Sequence, residues 1–380
     1  MVQPTANSSG AAGDISVREW ICWVGTFHAV HRLQCFLRPP LVSLKPPPSV
    51  ASHSNRRLTS RAHAQEGEAP VEPTSTLVLT APSNTFLDTR LLLPTPFTPT
   101  AERPLPNTGG PLDRLEWAFS GVSETLPPIV MSQTQHVAAH SHAPPLASVD
   151  YRRLCDFSSS GGGTVTVPRK RWNHVIDSKC VAPGQKPAPD EGEMYAVAGR
   201  PEACLEIGKM EREKGSGVVS RYQELWVSAE PRLVGSETRR QGVVLSLDMP
   251  EQQARGIIIR VAQYCQALLI TKDQIDLERW ECVDGTRAEW QRAAKLGSRF
   301  LPCSWTFEGG QAIEEGVAVG STLQDGEMKW QVQERFAWDG KASLGGFGGP
   351  KSERKDPRNW EALFLIPVQF ENGGHQTIHG

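Results

Sequence analysis

Alternation of apolar and polar residues is the strongest signal along this chain, and it predicts β-strands. The clearest case runs from Met328 to Trp338. Its apolar residues alternate with polar ones and share one face of the predicted strand: Met328, Trp330, Val332, Phe336 and Trp338. A single glutamate interrupts that face, and the opposite face carries Lys, Gln and Arg. The pattern is typical of a strand with one buried and one wet face.

A second strong signal runs from Gly256 to Gly285 and predicts part of an antiparallel meander. Its first half is rich in Ile, Val, Tyr and Leu, which favour a pleated, half-buried surface. Thr271–Gln274 is polar and is expected to form a turn, and Ile275–Val283 resumes as the next strand. Asp284-Gly285 is a hairpin signal, which predicts a further strand after it.

Similar patterns predict strands over most of the remaining chain. They are Ile15–Trp20, Ser75–Thr80, Thr85–Leu93, Leu112–Gly121, Thr164–Val167, Arg171–Ile176, Glu193–Val197, Ala203–Met210, Val218–Ala229, Val243–Leu247, Glu289–Lys295 and Phe300–Phe307. Helical patterns between the strands are absent, so a barrel or sandwich is favoured over parallel βαβ units. The expected fold class is mainly β, with two antiparallel barrel-like domains.

Short strings in the first half recur in the second half and suggest an internal repeat. Leu112–Trp117 resembles Asp276–Trp280, and Tyr222-Gln223 resembles Trp330-Gln331, in the same order along the chain. Chance similarity among tryptophan-containing strands is the alternative. If the repeat is real, the chain holds two copies of one antiparallel unit.

Pro, Ser and Gly concentrate in segments that lack any period, which is typical of linkers and disorder. The predicted organisation is a disordered segment at 1–13, an N-terminal barrel-like domain at 14–235 with inserts at about 24–69 and 122–163, a C-terminal barrel-like domain at 240–340, and a flexible tail at 341–380.

Charge and cysteine content exclude several classes of protein. The 380 residues include 40 basic and 42 acidic ones, so no global field favours nucleic acid or an anionic membrane. No apolar run approaches the length of a spanning helix. The apolar stretch Trp20–Leu37 contains His28, His31 and Arg32, which argues against a signal sequence. The eight cysteines form no CxxC pair and are expected to be reduced and mostly buried.

No sequence motif predicts catalysis or a cofactor. Walker, GxGxxG, GxSxG, HExxH and protein-kinase signatures are missing, and the Gly-rich Leu344–Gly349 precedes no phosphate-binding helix. The carboxylates of Asp276, Glu278, Glu281 and Asp284 have no fixed partner in the pattern. We therefore predict no catalytic residues, no cofactor site and no metal site.

Some residues allow both a structural and a functional interpretation. Two clusters contain metal-ligand types, namely His136, His140 and His142, and Cys22, His28, His31 and Cys35. Both clusters lie in segments without a rigid scaffold, so a linker is the expected role of each.

The basic run Pro168–Trp172 is expected to be a turn before a core tryptophan rather than a nuclear-import or phosphate-contacting patch. Cys265 and Cys282 are expected to be buried apolar side chains rather than nucleophiles.

The tryptophans are expected to fill cores, and lining a ligand cavity is the alternative. They are Trp117, Trp172, Trp226, Trp280, Trp290, Trp305, Trp330 and Trp338.

Several strings resemble a small fungal family, the Hri-type proteins, named for interaction with a casein-kinase-I-type protein kinase. The strings are Glu72–Ser83, Leu115–Gly121, Trp172–Ser178, Asp190–Met194, Tyr222–Trp226, Gly256–Cys265, Leu277–Trp280 and Phe300–Cys303. The resemblance implies two lipocalin-like barrels, no known enzyme activity, and a cytoplasmic and nuclear location. It supplies no catalytic residues.

The inserts depart from the family pattern, and we hypothesise that they are retained introns. Transcript reads that run through both inserts without splicing would remove this hypothesis.

The sequence therefore predicts a non-enzymatic binding or regulatory protein that interacts with a protein kinase or another cytosolic complex. The alternative is a carrier of a small hydrophobic ligand inside one barrel, since eight strands can enclose one such molecule. A tightly filled interior would argue against the carrier, and an apolar cavity of several hundred Å³, on the order of ordinary ligand pockets, would support it.

Overall fold

The predicted mainly β fold is confirmed by a computed structural model, which describes residues 8–9, 11–24, 71–94, 104–132, 163–182, 185, 187–197, 200–211, 217–272, 274–284, 287–314 and 317–339. Its strands are β1 Ser8–Ser9, β2 Asp14–Val24, β3 Thr74–Thr80, β4 Thr85–Leu92, β5 Leu115–Ser132, β6 Thr164–Asp177, β7 Asp190–Val197, β8 Arg200–Glu211, β9 Val219–Ser228, β10 Arg240–Met249, β11 Ala254–Val261, β12 Tyr264–Thr271, β13 Gln274–Asp284, β14 Glu289–Leu296, β15 Thr322–Asp325 and β16 Met328–Trp338. Short 3-10 helices cover Leu112–Arg114, Pro250–Gln252 and Cys303–Thr306.

Strands β2 to β9 form a closed antiparallel barrel of eight strands. Each strand pairs with the next along the chain, and β9 returns to pair with β2. Closure gives every strand of the barrel a neighbour on both sides, so the barrel has no free edge.

A second antiparallel sheet follows the barrel in sequence, in the order β1-β16-β10-β11-β12-β13-β14, with β15 also paired to β16. Strand β16 alternates as predicted, with its apolar side chains buried and most of the others more exposed. In both meanders the last long strand pairs with the first, β9 with β2 and β16 with β10. The two halves that share strings therefore share this return pairing, which supports the internal repeat, but only the first half closes into a barrel.

One hairpin within the strongest predicted segment was missed. The run from Gly256 to Ile270 forms two strands, β11 and β12, which turn at Ala262 and Gln263. Ala262 has φ of +49°, in the left-handed region where Gly, Asn or Asp is the usual signal. The expected turn at Thr271–Gln274 is confirmed by the pairing of those two residues.

The predicted strand at Phe300–Phe307 was also wrong. Its centre is the 3-10 helix at Cys303–Thr306, within a segment that covers one face of the second sheet. Leu301, Cys303 and Ala312 pack there against Trp330 and other residues of the sheet. The segment is apolar because it covers a core, and burial alone does not specify a strand.

The barrel and the second sheet share one apolar core. Leu77, Leu79, Leu87 and Leu91 point outward from β3 and β4 and join a buried cluster with Ile259 and other residues of the sheet. The second sheet thus covers the outer face of part of the barrel. Most of the opposite side chains of β3 and β4 are also buried, and they point into the barrel.

The outer face of β8 and β9 is covered by the far end of the long β5–β6 hairpin. Pro127 and Pro128 interrupt the pairing, where the register shifts between Leu126 and Ile129. Beyond that point Met131 and Val167 pack with a cluster on β7 to β9 that includes Tyr195, Leu205 and Leu225. The barrel therefore buries apolar outer faces on two sides.

The segments predicted to be disordered, inserted or flexible overlap the described residues at a few positions. Ser8–Ser9, inside the segment predicted to be disordered, forms β1 and pairs in parallel with β16. Strand β5 continues to Ser132, so the start of the second predicted insert, at 122–132, is a strand paired with β6. The insert at about 24–69, the rest of the second insert and the tail at 341–380 lie almost wholly outside the described residues. The two domain ranges stay a prediction.

Candidate functional site

A chain of buried ion pairs crosses the interior of the barrel. Glu224 on β9 accepts hydrogen bonds from Arg18 Nη1 at 2.5 Å and from Arg90 Nη1 at 2.9 Å. Arg18 Nε also binds Glu72 at 2.7 Å, and Arg90 donates from Nε and Nη2 to Asp88 Oδ2 at 3.0 and 2.8 Å. The two guanidinium groups are each held between two carboxylates. Isolated buried charges are costly, and this mutual pairing is what makes their burial possible.

The period of the strands explains how these groups come to face one another. Asp88 and Arg90 are two residues apart on β4, so they share a face, while Leu87 and Leu91 take the other. Strands β2 and β9 are hydrogen-bonded neighbours at the closure of the barrel. Closure therefore brings Arg18 and Glu224 together across 206 positions of sequence.

Glu206 forms a second buried polar group deeper in the same interior. It accepts hydrogen bonds from Tyr222 Oη at 2.6 Å and from Trp226 Nε1 at 2.9 Å. Burial, reinforced by the nearby carboxylate of Glu224, raises the pKa of Glu206 to about 8. Glu206 is therefore largely protonated at neutral pH, and the two facing glutamates do not repel each other as a pair of anions.

Two glycines that face each other on β7 and β8 make room for this group. Gly192 pairs with Gly208. A Cβ on Gly208 would lie 2.3 Å from the Tyr222 ring, and one on Gly192 would lie 2.8 Å from Glu206 Cγ. Larger residues at either position would displace the side chains that line the interior.

His174 forms a separate charged group at the wall of the barrel. Its Nδ1 lies 3.1 Å from Asp177 Oδ2 and its Nε2 lies 3.4 Å from Asp190 Oδ2. Trp117 Nε1 donates to the other oxygen of Asp177 at 2.8 Å, and the Phe119 ring stacks on the imidazole at 4.3 Å. Burial lowers the pKa of His174, but the hydrogen bonds and charges of the two aspartates outweigh it and raise the pKa to about 9.

This histidine should make stability depend on pH. Because its folded pKa of about 9 exceeds the ordinary histidine pKa of 6.5, its contribution is fully present below pH 6.5 and is lost as the pH rises to 9. The loss amounts to at most about 3 kcal/mol in the free energy of unfolding. Urea denaturation of the full chain at several pH values should show a steeper decline for the wild type than for His174→Gln. Equal slopes in both proteins would contradict the assignment, since all other titrating groups are common to them.

A cavity of ≈ 70 Å³ lies inside the barrel beside the ion pairs and Glu206. Its lining combines charged, aromatic and methionine side chains from all eight strands. The lining residues are Asp14, Ser16, Val78, Thr80, Phe86, Asp88, Arg90, Phe119, Lys170, Trp172, Asp190, Met194, Glu206, Met210, Tyr222 and Trp226. The space holds roughly five water molecules or one small organic molecule.

One buried polar atom on the cavity wall has no hydrogen-bond partner among the residues that the structure describes. Asp88 is only 3% exposed and lines the cavity, and its Oδ1 accepts no hydrogen bond while Oδ2 is bound by Arg90. Burial raises the pKa of Asp88, and the charge of Arg90 opposes that rise. A buried acceptor without a donor is costly, so the wall is built to receive a hydrogen bond from the contents of the cavity.

The basic run predicted as a turn lies within β6. Alternate residues separate onto its two faces: Lys170 and Trp172 line the cavity, while Arg169 and Arg171 pair outside with Glu191 at 3.1 and 2.6 Å. The run is therefore part of the barrel wall. The alternative interpretation of a nuclear-import or phosphate-contacting patch gains no support from these contacts.

The two predicted metal-ligand clusters lie mostly beyond the described ranges. His136, His140 and His142 fall outside them, as do His28, His31 and Cys35. Cys22 is fully buried in the apolar cluster on β7 to β9. Across the residues that the structure places, no group of three or more His, Cys, Asp or Glu side chains could hold a metal ion.

The cysteines and carboxylates considered as candidate functional residues on the second sheet all have structural roles there. Cys265 and Cys282 are fully buried, and both are free thiols. Glu278 accepts hydrogen bonds from Trp280 Nε1 at 2.8 Å and from a backbone N–H, while Asp276 accepts one from a backbone N–H at 2.8 Å. These carboxylates hold neighbouring segments of the fold and line no described cavity.

The tryptophans divide between the two interpretations. Trp172 and Trp226 line the cavity in the barrel. Trp330 and Trp338 are buried in apolar cores, and Trp290 stacks face to face on Phe307 at 4.0 Å. The predicted core role is therefore confirmed for Trp330 and Trp338, while Trp280, Trp290 and Trp305 are partly buried against the core that contains Trp330. In the barrel, Trp172 and Trp226 line the cavity instead.

The interior polar residues were not predicted as a site. Asp88, Arg90, Glu206 and Glu224 lie on predicted strands, but no motif singled them out as a site. A signal was present in Thr85–Leu93, where two opposite charges alternate with leucines. No rule of spacing indicates that such a polar face lies inside a closed barrel.

None of the helices within the described ranges is long and apolar enough to cross a membrane.

Comparison with known proteins finds one matching family and one similar solved structure. The family model described as Protein HRI1 matches residues 57–334, which is more than half of the chain. Among solved structures, the chain is similar to the uncharacterised protein YLR301w from Saccharomyces cerevisiae, with a TM-score of 0.47 and 12% sequence identity over 85% of this chain and 98% of that chain. No curated protein sequence matches the chain.

Proposed function

The chain belongs to the HRI1 family, and we propose that it is a non-enzymatic binding protein whose barrel interior holds a small polar molecule. The observation that carries the proposal is the cavity inside the barrel with an unpartnered buried oxygen, Asp88 Oδ1, on its wall. A ligand that donates a hydrogen bond to this atom would remove the cost of leaving it unpaired.

The lining favours a polar ligand over the hydrophobic one considered from the sequence. Ligand pockets for larger molecules measure about 300–1,000 Å³, well above the size of this cavity. Three carboxylates, the protonated carboxyl group of Glu206, one guanidinium and one ammonium group contribute to the lining. An acyl chain or another apolar molecule would desolvate these groups without replacing their hydrogen bonds.

The chemistry of the charged groups favours binding over catalysis. Arg18 and Arg90 are each held by two carboxylates, which leaves them little freedom to follow developing charge on a substrate. His174, with its pKa raised to about 9, is protonated at neutral pH and is a poor general base there.

Titration of the purified full chain with a library of small polar molecules tests this function. The library contains cations, anions and neutral compounds of about four to eight non-hydrogen atoms, which suits the cavity volume. We expect at least one class to bind with a one-to-one stoichiometry by calorimetry and to change the fluorescence of Trp172 and Trp226, compared in single Trp→Phe variants. A library in which no class binds, at concentrations up to tens of millimolar, would contradict a binding role for the barrel interior.

A protein partner is the second candidate function, and it rests on the family to which the chain belongs. The resemblance noted in the sequence is to this same family, and it implies an interaction with a casein-kinase-I-type protein kinase in the cytoplasm and nucleus. The full chain and a purified kinase of this type should form a complex in size-exclusion chromatography, with an unrelated kinase as control. Equal elution with and without the kinase would remove this candidate without affecting the cavity.

A further inference from the structure

We propose that the ligand of the barrel is a small organic cation, such as a guanidinium or primary ammonium compound, that donates a hydrogen bond to Asp88. The inference rests on the proposed binding function and specifies the chemical class of the ligand. Three separate observations support it: the net negative charge of the cavity lining, the unpartnered acceptor on Asp88, and the aromatic rings of the wall.

The balance of charge on the cavity wall is negative. Because Glu206 is largely protonated, the charged lining groups are three carboxylates, those of Asp14, Asp88 and Asp190, against two cations, Arg90 and Lys170. Arg90 is already bound by Asp88 and by Glu224 behind it. Within a poorly solvated interior, an unbalanced negative lining favours a cation and disfavours an anion.

Among the buried lining atoms of the described residues, the unpartnered oxygen of Asp88 calls for a donor from the ligand. Asp88 Oδ1 is an acceptor in its ionised form, and the neighbouring guanidinium of Arg90 contacts only the other oxygen. A neutral donor such as water would satisfy the hydrogen bond. A cationic donor would also offset the cost of burying the carboxylate, which makes the charge-assisted bond the stronger one.

Aromatic rings form much of the remaining wall. Phe86, Phe119, Trp172, Tyr222 and Trp226 all line the cavity. Ring faces attract cations, and a desolvated cation over a tryptophan or tyrosine is a recurring arrangement in proteins that bind alkylammonium groups. Within the barrel, Arg90 already lies over Trp117, Phe119 and Trp226 at 5.2 to 5.8 Å, so this wall accommodates a guanidinium.

Matched pairs of small molecules separate charge from shape. Methylguanidinium and methylurea have almost the same size and planar form, and only the first carries a charge; acetate serves as the anion. Calorimetric titration of the full chain at pH 7 should give a dissociation constant at least about tenfold lower for methylguanidinium than for methylurea, because the charged donor adds on the order of one charge-assisted bond. Equal affinities, or tighter binding of acetate, would overturn the cation assignment.

Two variants locate the bound cation. Asp88→Asn keeps the shape of the side chain and should weaken methylguanidinium at least about tenfold, since a charge-assisted bond is lost. Asp190→Asn, at a partly exposed lining position, should weaken it several-fold and serves if Asp88→Asn does not fold. Asp248→Asn, at an exposed position on β10, should bind like the wild type. Retained affinity in both lining variants would overturn the site.

The outcomes distinguish this inference from the binding function itself. Binding of methylurea or acetate without a preference for the cation would leave a binding barrel and remove the cation. If methylguanidinium, methylurea and acetate all failed to bind, and no compound of the wider library bound either, both the cation ligand and the binding function would be removed.

Discussion

Replacement of Glu224 by glutamine should lower the free energy of unfolding by about 3–5 kcal/mol. The substitution keeps the shape of the side chain and removes the charge that lies between Arg18 and Arg90. Both guanidinium groups then stay buried with one carboxylate partner fewer, and their mutual repulsion is no longer offset. Chemical denaturation of the full chain, followed by circular dichroism, measures the loss.

The chain offers a closely matched control for this substitution. Glu191 also accepts hydrogen bonds from two arginines on a barrel strand, Arg169 at 3.1 Å and Arg171 at 2.6 Å, but its side chain is 39% exposed, against 1% for Glu224. Exposed pairs contribute about 0–1 kcal/mol, so Glu191→Gln should be close to neutral. Similar losses in the two variants would show that burial of the ion pairs is not what makes Glu224 important.

Truncation of Leu87 to alanine should destabilise the chain by about 2–5 kcal/mol. Leu87 is fully buried in the core shared by the outer face of the barrel and the second sheet. The cost comes from lost apolar contact and from the space left behind, which neighbouring strands on both sides cannot easily fill. Urea denaturation with tryptophan fluorescence measures it.

Leu233→Ala is the control for Leu87→Ala, because Leu233 is 45% exposed. It should change stability by less than about 0.5 kcal/mol, as most surface substitutions do. If Leu87→Ala were equally mild, the outer face of β4 would not be part of a shared core.

The strand pattern was predictable where one face of a strand is apolar. Met328–Trp338 alternates without a break in its apolar face except at Glu334, and it forms β16 over the same residues. The turn at Ala262 and Gln263 was not predictable, because neither residue type signals a turn and the flanking strands are both apolar. Local sequence did not distinguish one long strand from two short ones.

The candidate site was not predictable for a different reason. In β4 the sequence shows one face with leucines and one with charges, and a single layer would expose the charges to water. The structure buries both faces, since the second sheet covers the leucines and barrel closure encloses Asp88 and Arg90. The partner of these residues, Glu224, comes from a strand far along the chain, which no local pattern can specify.

Site-resolved binding to the barrel interior is the most direct test of the account. In the full chain labelled with ¹⁵N at tryptophan, indole signals assigned by single Trp→Phe variants can be followed during titration with methylguanidinium. We predict shifts of Trp172 and Trp226, which line the cavity, and none of Trp330 and Trp338, which lie in apolar cores. Unchanged signals of Trp172 and Trp226 at saturating methylguanidinium, or equal shifts with methylurea, would contradict a cation-binding barrel.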